Sequence, residues 1–228
     1  MTETLILAAI LIPCLIVAIV FHEVAHGWTA LALGDPTAKE QRRLSLNPIR
    51  HVDPVGTLLV PGGLALAGLP VFGWAKPVPV IKQRLRNPRF GMMAVAAAGP
   101  GTNFALGLLG AVALGFAIAA DKAAGAGDLG LLSTALAYFI SINLFLGLFN
   151  LLPIPPFDGS HVVEGLLPRA AARAYDRLRP LGFPLLLVLL VIVPYFLPDL
   201  GIVEAIVVPP VEWAMGHYLA LAEWIAGA

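Results

Sequence analysis

The sequence predicts an all-α polytopic membrane protein with about five or six transmembrane helices and a small Gly/Pro-rich β or re-entrant region after the first helix. Three observations predict this class. Of the 228 residues, 59% are hydrophobic and only 12% are charged, and the mean hydropathy is +0.87, whereas soluble domains are usually about a quarter charged. This composition makes the lipid bilayer the expected partner, and because the formal net charge is zero we expect no nucleic acid.

The apolar runs predict the spans, because a helix needs about 20 apolar residues to cross the hydrocarbon core. The first run has no basic segment before it and no clear small-residue cleavage site after it, so we expect a retained span rather than a removed signal peptide. Cys14 has no partner for an internal disulfide and is expected to be a small core residue. The predicted spans are 5–33, 91–120, 131–152 and 183–198, with a weaker one at 205–226. We expect a single domain over 1–228, with a core at 5–165 and C-terminal helices at 183–226.

Residues 55–75 are apolar but are interrupted repeatedly by glycine and proline. This pattern fits a straight helix poorly, and it favours strands, a hairpin or a re-entrant segment. At membrane depth such a backbone is tolerated only where protein covers it or where it lines a water-filled cavity.

Basic residues predict the orientation. They concentrate after the first span, before the second and after the third, whereas the segments 121–130 and 199–204 have acidic balances. The positive-inside rule places the three basic segments in the cytoplasm. Residues 166–179 carry arginines four apart, which is typical either of a surface helix that meets anionic headgroups or of an ordinary solvated helix.

The segment FHEVAHGWTALALGD, residues 21–35, places polar groups at the end of an apolar run. His22 and His26 are four residues apart and share one face of a helix, so both imidazoles can point at one metal ion. Glu23 lies one turn before His26, where it can reach water at that ion without being a ligand. The alternative is a polar contact between packed helices, but ionisable residues inside a membrane usually serve a function.

A catalytic zinc site usually has three protein ligands, so a third is needed. Glu40 is one candidate, but it lies in the hydrophilic segment KEQRR. Asp158 is the better candidate, since it follows the third span in NLLPIPPFDG, residues 150–159, on the same membrane side as the histidines. The prolines there enforce an extended backbone, and Gly159 permits the turn that follows. The alternative for Asp158 is an ordinary residue of a turn at a helix end.

The two motifs HEVAH and NLLPIPPFDG resemble the signatures of the site-2 proteases, which are intramembrane zinc metalloproteases. Three further segments match this family in the same order, at 47–57, 72–80 and 98–103. The resemblance covers about residues 20–165 and is similar to the compact form of the family without a PDZ domain. Phe157 stands where the family more often has leucine.

The resemblance implies that His22, His26 and Asp158 bind one Zn²⁺ per chain. Glu23 would be the general base toward water at the zinc and would return the proton to the leaving amine. Asn150 would donate a hydrogen bond to the developing oxyanion, unless it only caps or links helices. The substrate would be a transmembrane protein or peptide that is cut within or near its membrane-spanning segment. The active site would face the cytoplasmic side of the cell membrane.

Other polar residues are candidates for supporting or structural roles. His51 and Asp53 either line the mouth of the site, as supporting or substrate contacts, or shape a turn. Asn103 is a possible supporting residue of the metal site or a link between helices. His161 is expected to be structural or peripheral, and His217 to be an interface residue.

Two rival functions remain open. A membrane zinc transporter would need polar residues along several spans, and residues 91–120 and 183–198 offer almost none. A non-catalytic scaffold that binds zinc would be unaffected by Glu23→Gln.

Overall fold

The computed structural model describes residues 2–66, 68, 73–124, 130–197 and 200–227, and within these ranges the chain is helical with no strand. The longer helices are α1 Thr2–Ala32, α4 Pro88–Ala124, α5 Gly130–Asn150 and α10 Ile202–Ile225. The shorter ones are α2 Thr37–Glu40, α3 Val60–Leu66, α6 Asp158–Leu166, α7 Arg169–Asp176, α8 Gly182–Leu187 and α9 Val193–Phe196. Single 3₁₀ turns cover Pro48–His51, Lys82–Arg84 and Arg179–Leu181, and π-helical turns cover Pro54–Leu59 and Val188–Ile192.

Four helical segments in the described part of the chain are long and apolar enough to cross a membrane: Thr4–Ala32, Pro88–Ala124, Gly130–Asn150 and Arg169–Phe196. Large apolar side chains such as Phe116 and Leu132 are about two-thirds exposed on these helices. Such a surface is compatible with lipid rather than with water. The chain is therefore an integral membrane protein, and the predicted count of five or six spans is not confirmed.

Helix α4 is the centre of the bundle and packs against α1, α5, α6 and α10. Helix α5 runs antiparallel to it, since Asn103 bonds Asn143 while Gly110 faces Ile140. Buried glycines along α4, including Gly99 and Gly107, leave room for neighbouring helices to approach closely.

The direction of α10 corrects one expectation from the charges. The Tyr218 hydroxyl donates to Phe104 O, and further along both helices Ile225 packs against Gly115. Helix α10 therefore runs parallel to α4 and begins at the end of the bundle where α4 begins. Residues 200–201 lie at this end rather than on the opposite side, which the acidic balance of 199–204 favours.

The segment 55–75 is helical as far as it is described from Pro54 to Leu66. The predicted β region is not confirmed there, and positions 67 and 69–72 lie outside the described residues. The following stretch 73–81 is extended but is not part of a sheet. Pro77 and Pro79 lack the N–H groups that a regular ladder requires, and the re-entrant alternative stays a prediction.

Candidate metal centre

Two histidines of α1 and one carboxylate of α6 form a compact cluster. Asp158 Oδ2 lies 3.1 Å from Nε2 of His22 and 3.3 Å from Nε2 of His26. One ligand atom from each of the three residues lies within 4.8 Å of the others. The helical spacing of four residues places both imidazoles on one face, and both side chains are buried. This separation of the three atoms suits a single metal ion between them.

The chain holds Asp158 through close contacts at the start of α6. A Cβ atom on Gly159 would lie only 2.1 Å from Leu151 O, so α6 begins with its backbone against the end of α5. The Tyr175 hydroxyl donates to Pro153 O at 2.7 Å and braces the proline-rich segment from α7. Burial by itself would raise the pKa of Asp158, but hydrogen bonds and charge from the two imidazoles lower that pKa to about 2. The side chain is therefore a carboxylate at neutral pH.

Polar contacts fix the orientation of both imidazole rings. His26 Nδ1 lies 2.7 Å from Val95 O, and His22 Nδ1 lies 2.6 Å from Asn103 Oδ1. A carbonyl oxygen only accepts, so each Nδ1 donates, and in a neutral ring Nε2 then presents a lone pair. Two such lone pairs and a carboxylate oxygen facing one another repel unless a cation or a proton lies among them. The donor set therefore fits a divalent metal.

The carboxamide of Asn103 is itself fixed by a second asparagine. Its Nδ2 donates to Ala18 O at 3.1 Å and to Asn143 Oδ1 at 2.9 Å. Asn143 in turn donates to Phe139 O at 2.9 Å. Both asparagine side chains are fully buried. The chain of bonds from α5 through α4 thus leaves Asn103 Oδ1 as the acceptor that orients His22.

Gly99 keeps open the space in front of the two rings. A Cβ atom at this position would lie 2.6 Å from Nε2 of His22 and 2.6 Å from Nε2 of His26. Any other residue type would place its side chain where a metal ion would contact the imidazoles. Gly99 is thus a requirement of the cluster that neither histidine spacing nor hydropathy reveals.

Glu23 lies beside the cluster and contacts the extended segment 73–81. Its Oε2 accepts a hydrogen bond from Val78 N at 2.8 Å. Two residues earlier in the segment, Lys76 O accepts from the buried Arg43 side chain at 2.7 Å. Three residues after Val78, Ile81 N donates to the buried Asp35 carboxylate at 2.6 Å. Side chains from α1 and the residues that follow it thus hold this segment against the end of α1 that carries the site.

Several predicted site residues do not join the cluster in this structure. Asn150 Nδ2 donates to Leu146 O of its own helix at 2.9 Å. His51 is buried and bonds Ser45 O at 2.7 Å, while Asp53 caps the turn that follows it through Val55 N and Gly56 N at 2.8 Å each. Both residues therefore shape the backbone near the segment 73–81.

The remaining polar candidates are also occupied elsewhere. Glu40 pairs with Arg84 at 2.9 Å, which agrees with its rejection as a metal ligand. His161 lies between Arg179 and Glu164, and His217 contacts Trp213 O of its own helix at 2.8 Å. Burial and the nearby Arg179 guanidinium lower the pKa of His161 to about 4, so this ring is neutral at pH 7.

The sequence prediction missed the supporting residues Asn143, Gly99 and Arg43. Asn143 carried a usable signal, because an asparagine inside an apolar span usually bonds another helix. Gly99 belongs to the matched segment AGPGTN, but its packing role depends on which helix it faces. Arg43 is one of several arginines in a basic segment, and nothing in the residue pattern distinguishes the buried one.

Comparisons with known proteins give consistent matches. The family model "Peptidase family M50" matches residues 116–193. "Putative zinc metalloprotease YwhC" of Bacillus subtilis (strain 168) is 42% identical over 185 residues, which cover 79% of this chain and 80% of that protein. "Putative zinc metalloprotease Rip2" of Mycobacterium tuberculosis (strain ATCC 25618 / H37Rv) is 28% identical over 180 residues, which cover 76% of this chain and 63% of that protein. The Rip2 protein of Mycolicibacterium smegmatis is 28% identical over 177 residues, which cover 77% of this chain and 64% of that protein. No solved structure matched.

Proposed function

This chain belongs to peptidase family M50, the site-2 protease family, and on that premise we propose that it hydrolyses peptide bonds within or near transmembrane segments of other membrane proteins. Membership of this family confirms the resemblance that the motifs HEVAH and NLLPIPPFDG indicate, and it makes the chain a zinc metalloprotease. The proposal rests on one observation above all, the convergence of His22, His26 and Asp158 at 3.1–3.3 Å.

The three clustered residues would hold one zinc ion per chain. Two imidazole nitrogens and a carboxylate oxygen are ligands that zinc accepts, and three protein ligands leave a position open for substrate or water. Asn103 and Val95 O would keep both rings in the binding tautomer. When bound, zinc supplies a Lewis acid that polarises the scissile carbonyl and lowers the pKa of water.

Glu23 would be the general base. It follows His22 directly, is half-buried, and is not one of the three clustered ligand residues, so it stays free for proton transfer. Its carboxylate would accept a proton from the attacking water and pass it to the leaving amine. The hydrogen bond from Val78 N supports one carboxylate oxygen and leaves the other for this role.

Asn150 would stabilise the oxyanion only after its side chain turns away from Leu146 O. Its amide bonds that carbonyl at 2.9 Å in this structure. Catalytic hydrogen bonds are often long or poorly aligned in a substrate-free enzyme and tighten when substrate binds. The role of Asn150 is therefore proposed from the matching motif and from its place at the end of α5, in the same segment NLLPIPPFDG that carries Asp158.

The extended segment 73–81 would receive the substrate as an unwound strand. The N–H groups of Trp74, Lys76 and Val78 bond inward to the protein. Because successive residues of an extended chain point their polar groups to opposite edges, Ala75, Pro77 and Pro79 face the other edge. Pro77 and Pro79 have no N–H group, so this edge offers mainly carbonyl acceptors for the N–H groups that a substrate helix exposes when it unwinds.

The site would face the cytoplasmic side of the cell membrane, and the domain would extend over 1–228. Basic side chains surround the same end of the bundle, including the buried Arg43 beside Glu23, and the positive-inside rule places such segments in the cytoplasm. A metal near that surface also shortens the path that water must take from the cytoplasm.

Glu23→Gln tests the function most simply. The purified protein in detergent is assayed for zinc content and for cleavage of a generic single-span substrate. We expect one zinc per chain in both proteins and loss of cleavage in the variant, because the glutamine amide keeps the shape of the side chain but cannot accept the proton. Equal cleavage by both proteins would contradict the role of Glu23, and a chain that binds zinc but never cleaves would favour the scaffold.

A further inference from the structure

A small cavity lies at the end of the bundle where α4 begins, apart from the metal cluster. Its volume is about 280 Å³, and it opens between the start of α4, the end of α6 and α7. It lies below the size of typical small-molecule sites, about 300–1,000 Å³. Its lining is mostly charged, comprising Arg89, Glu164, Arg169, Ala172, Arg173 and Asp176.

The two acids of the cavity are already neutralised by basic residues. Glu164 accepts a hydrogen bond from Lys82 Nζ at 2.6 Å and another from Arg179. Asp176 is paired with the same guanidinium of Arg179. Burial alone would raise the pKa of Glu164, but its bonds and charge pairing with Lys82 and Arg179 lower that pKa. Neither carboxylate is therefore available to balance the arginines that line the cavity.

The three arginines have no carboxylate partner among the described residues. Arg89 donates to the main-chain oxygens of Gly165 and Leu167, and its Nε is buried without a hydrogen-bond partner. Arg169 and Arg173 are exposed on one face of α7, four residues apart, and make no ion pair within the described chain. Three arginines thus line one cavity without an ion-pair partner among the described residues, which favours an anion with several acceptor oxygens.

The cavity lies where two apolar segments that are long enough to cross a membrane begin. Arg89 is the second residue of the apolar helix Pro88–Ala124, and Arg169 is the first residue of the apolar segment Arg169–Phe196. Arginines at the ends of such helices reach the headgroup layer, where phosphate esters carry the negative charge. The anion available at that depth is a lipid phosphate.

We propose that this cavity binds the phosphate of an anionic phospholipid headgroup through Arg89, Arg169 and Arg173. The arginines supply planar donors that match phosphate oxygens two at a time. The site is independent of the proteolytic function, since no residue of the metal cluster lines it. The bound lipid phosphate would link α4, α6 and α7.

The test compares two charge-matched double variants of the full-length protein. R169Q/R173Q removes two cavity arginines that are exposed and contribute nothing to the core. R86Q/R177Q removes the same amount of charge from exposed positions nearby, with Arg177 on the turn after α7 and outside the cavity lining. Delipidated protein in a neutral detergent is titrated with phosphatidylglycerol, phosphatidylcholine or inorganic phosphate, and bound ligand is counted by native mass spectrometry.

We expect one phosphatidylglycerol per chain, with weaker binding of phosphatidylcholine. R169Q/R173Q should weaken phosphatidylglycerol binding by about tenfold or more, given the strength of hydrogen bonds to charged groups, and R86Q/R177Q should change it less than about twofold. Equal weakening by both variants would show diffuse surface attraction and overturn the site. Inorganic phosphate that binds as tightly, with the same sensitivity to R169Q/R173Q, would overturn the lipid assignment, as would no binding at all.

Discussion

Substituting alanine for Gly99 places one methyl group in the space where the metal ligands face each other. The new Cβ would lie 2.6 Å from Nε2 of both His22 and His26, whereas ordinary contacts begin at 3.4 Å. Both rings would have to retreat by about 0.8 Å. Metal–ligand distances in working sites agree with their ideal values within about 0.2 Å. The displacement is several times this tolerance, so we expect zinc affinity to fall by about 100-fold or more.

The same substitution should leave the fold largely intact. Overpacking one methyl group usually costs about 1–3 kcal/mol, and alanine recovers up to about 1 kcal/mol over glycine inside a helix. Gly101→Ala is the matched control, since it lies in the same helix and its Cβ would meet nothing within 4 Å. A competition titration with a zinc chelator gives the affinity of each protein, and a melting curve in detergent confirms that it is folded. Wild-type zinc affinity in a folded Gly99→Ala protein would refute the position of the metal.

Three further predictions test the surroundings of the cluster. Asn103→Ala should weaken zinc binding about 10–100-fold because His22 loses its orienting partner. Asn143→Ala, one hydrogen bond further away, should weaken zinc binding less. The reverse order of affinities in a chelator titration would contradict the hydrogen-bond chain from Asn143 through Asn103 to His22. The pKa of His161 is lowered to about 4 in the folded chain, so between about pH 6.5 and pH 4 the unfolded chain binds a proton at this ring that the folded chain does not, and the free energy of unfolding should fall by about 3 kcal/mol. Across this window the melting temperature should decline less for His161→Asn than for wild type. Identical slopes for the two proteins would count against the buried neutral ring. Ala75→Pro removes a backbone donor from the outer edge of the segment 73–81 and should slow cleavage of a membrane substrate with zinc content unchanged. The control variant Ala75→Ser should cleave normally. Unchanged cleavage by the proline variant would argue against strand pairing with the substrate.

The sequence predicts the helices of the bundle and the three clustered side chains for clear physical reasons. An uncharged run of the required length has few alternatives to a span, and the spacing of His22 and His26 on a helix leaves them one shared face. Asp158 could be placed because charge asymmetry put the end of α5 on the same side as the histidines. Each of these inferences depends on local pattern or on the side of the membrane.

Features that depend on packing between distant segments could not be predicted. The bond between Asn103 and Asn143 requires knowing the register of α4 against α5. The direction of α10 depends on the contacts of Tyr218 and Ile225 with α4, while hydropathy gives only its length. Residues 54–66 are helical although clustered glycine and proline usually indicate a turn or loop. The Asp53 side chain caps the helical turn that begins at Pro54.

The most direct test of the central claim is the zinc K-edge X-ray absorption spectrum of the purified protein and of Asp158→Ala. The wild-type spectrum should show two imidazole nitrogens at about 2.0–2.1 Å together with oxygen ligands at about 2.0–2.2 Å. In Asp158→Ala the imidazole signal should persist while zinc binds more weakly and an oxygen ligand is lost or replaced by solvent. A wild-type spectrum with fewer than two imidazoles, or zinc binding unaffected by the loss of Asp158, would contradict a centre built from His22, His26 and Asp158.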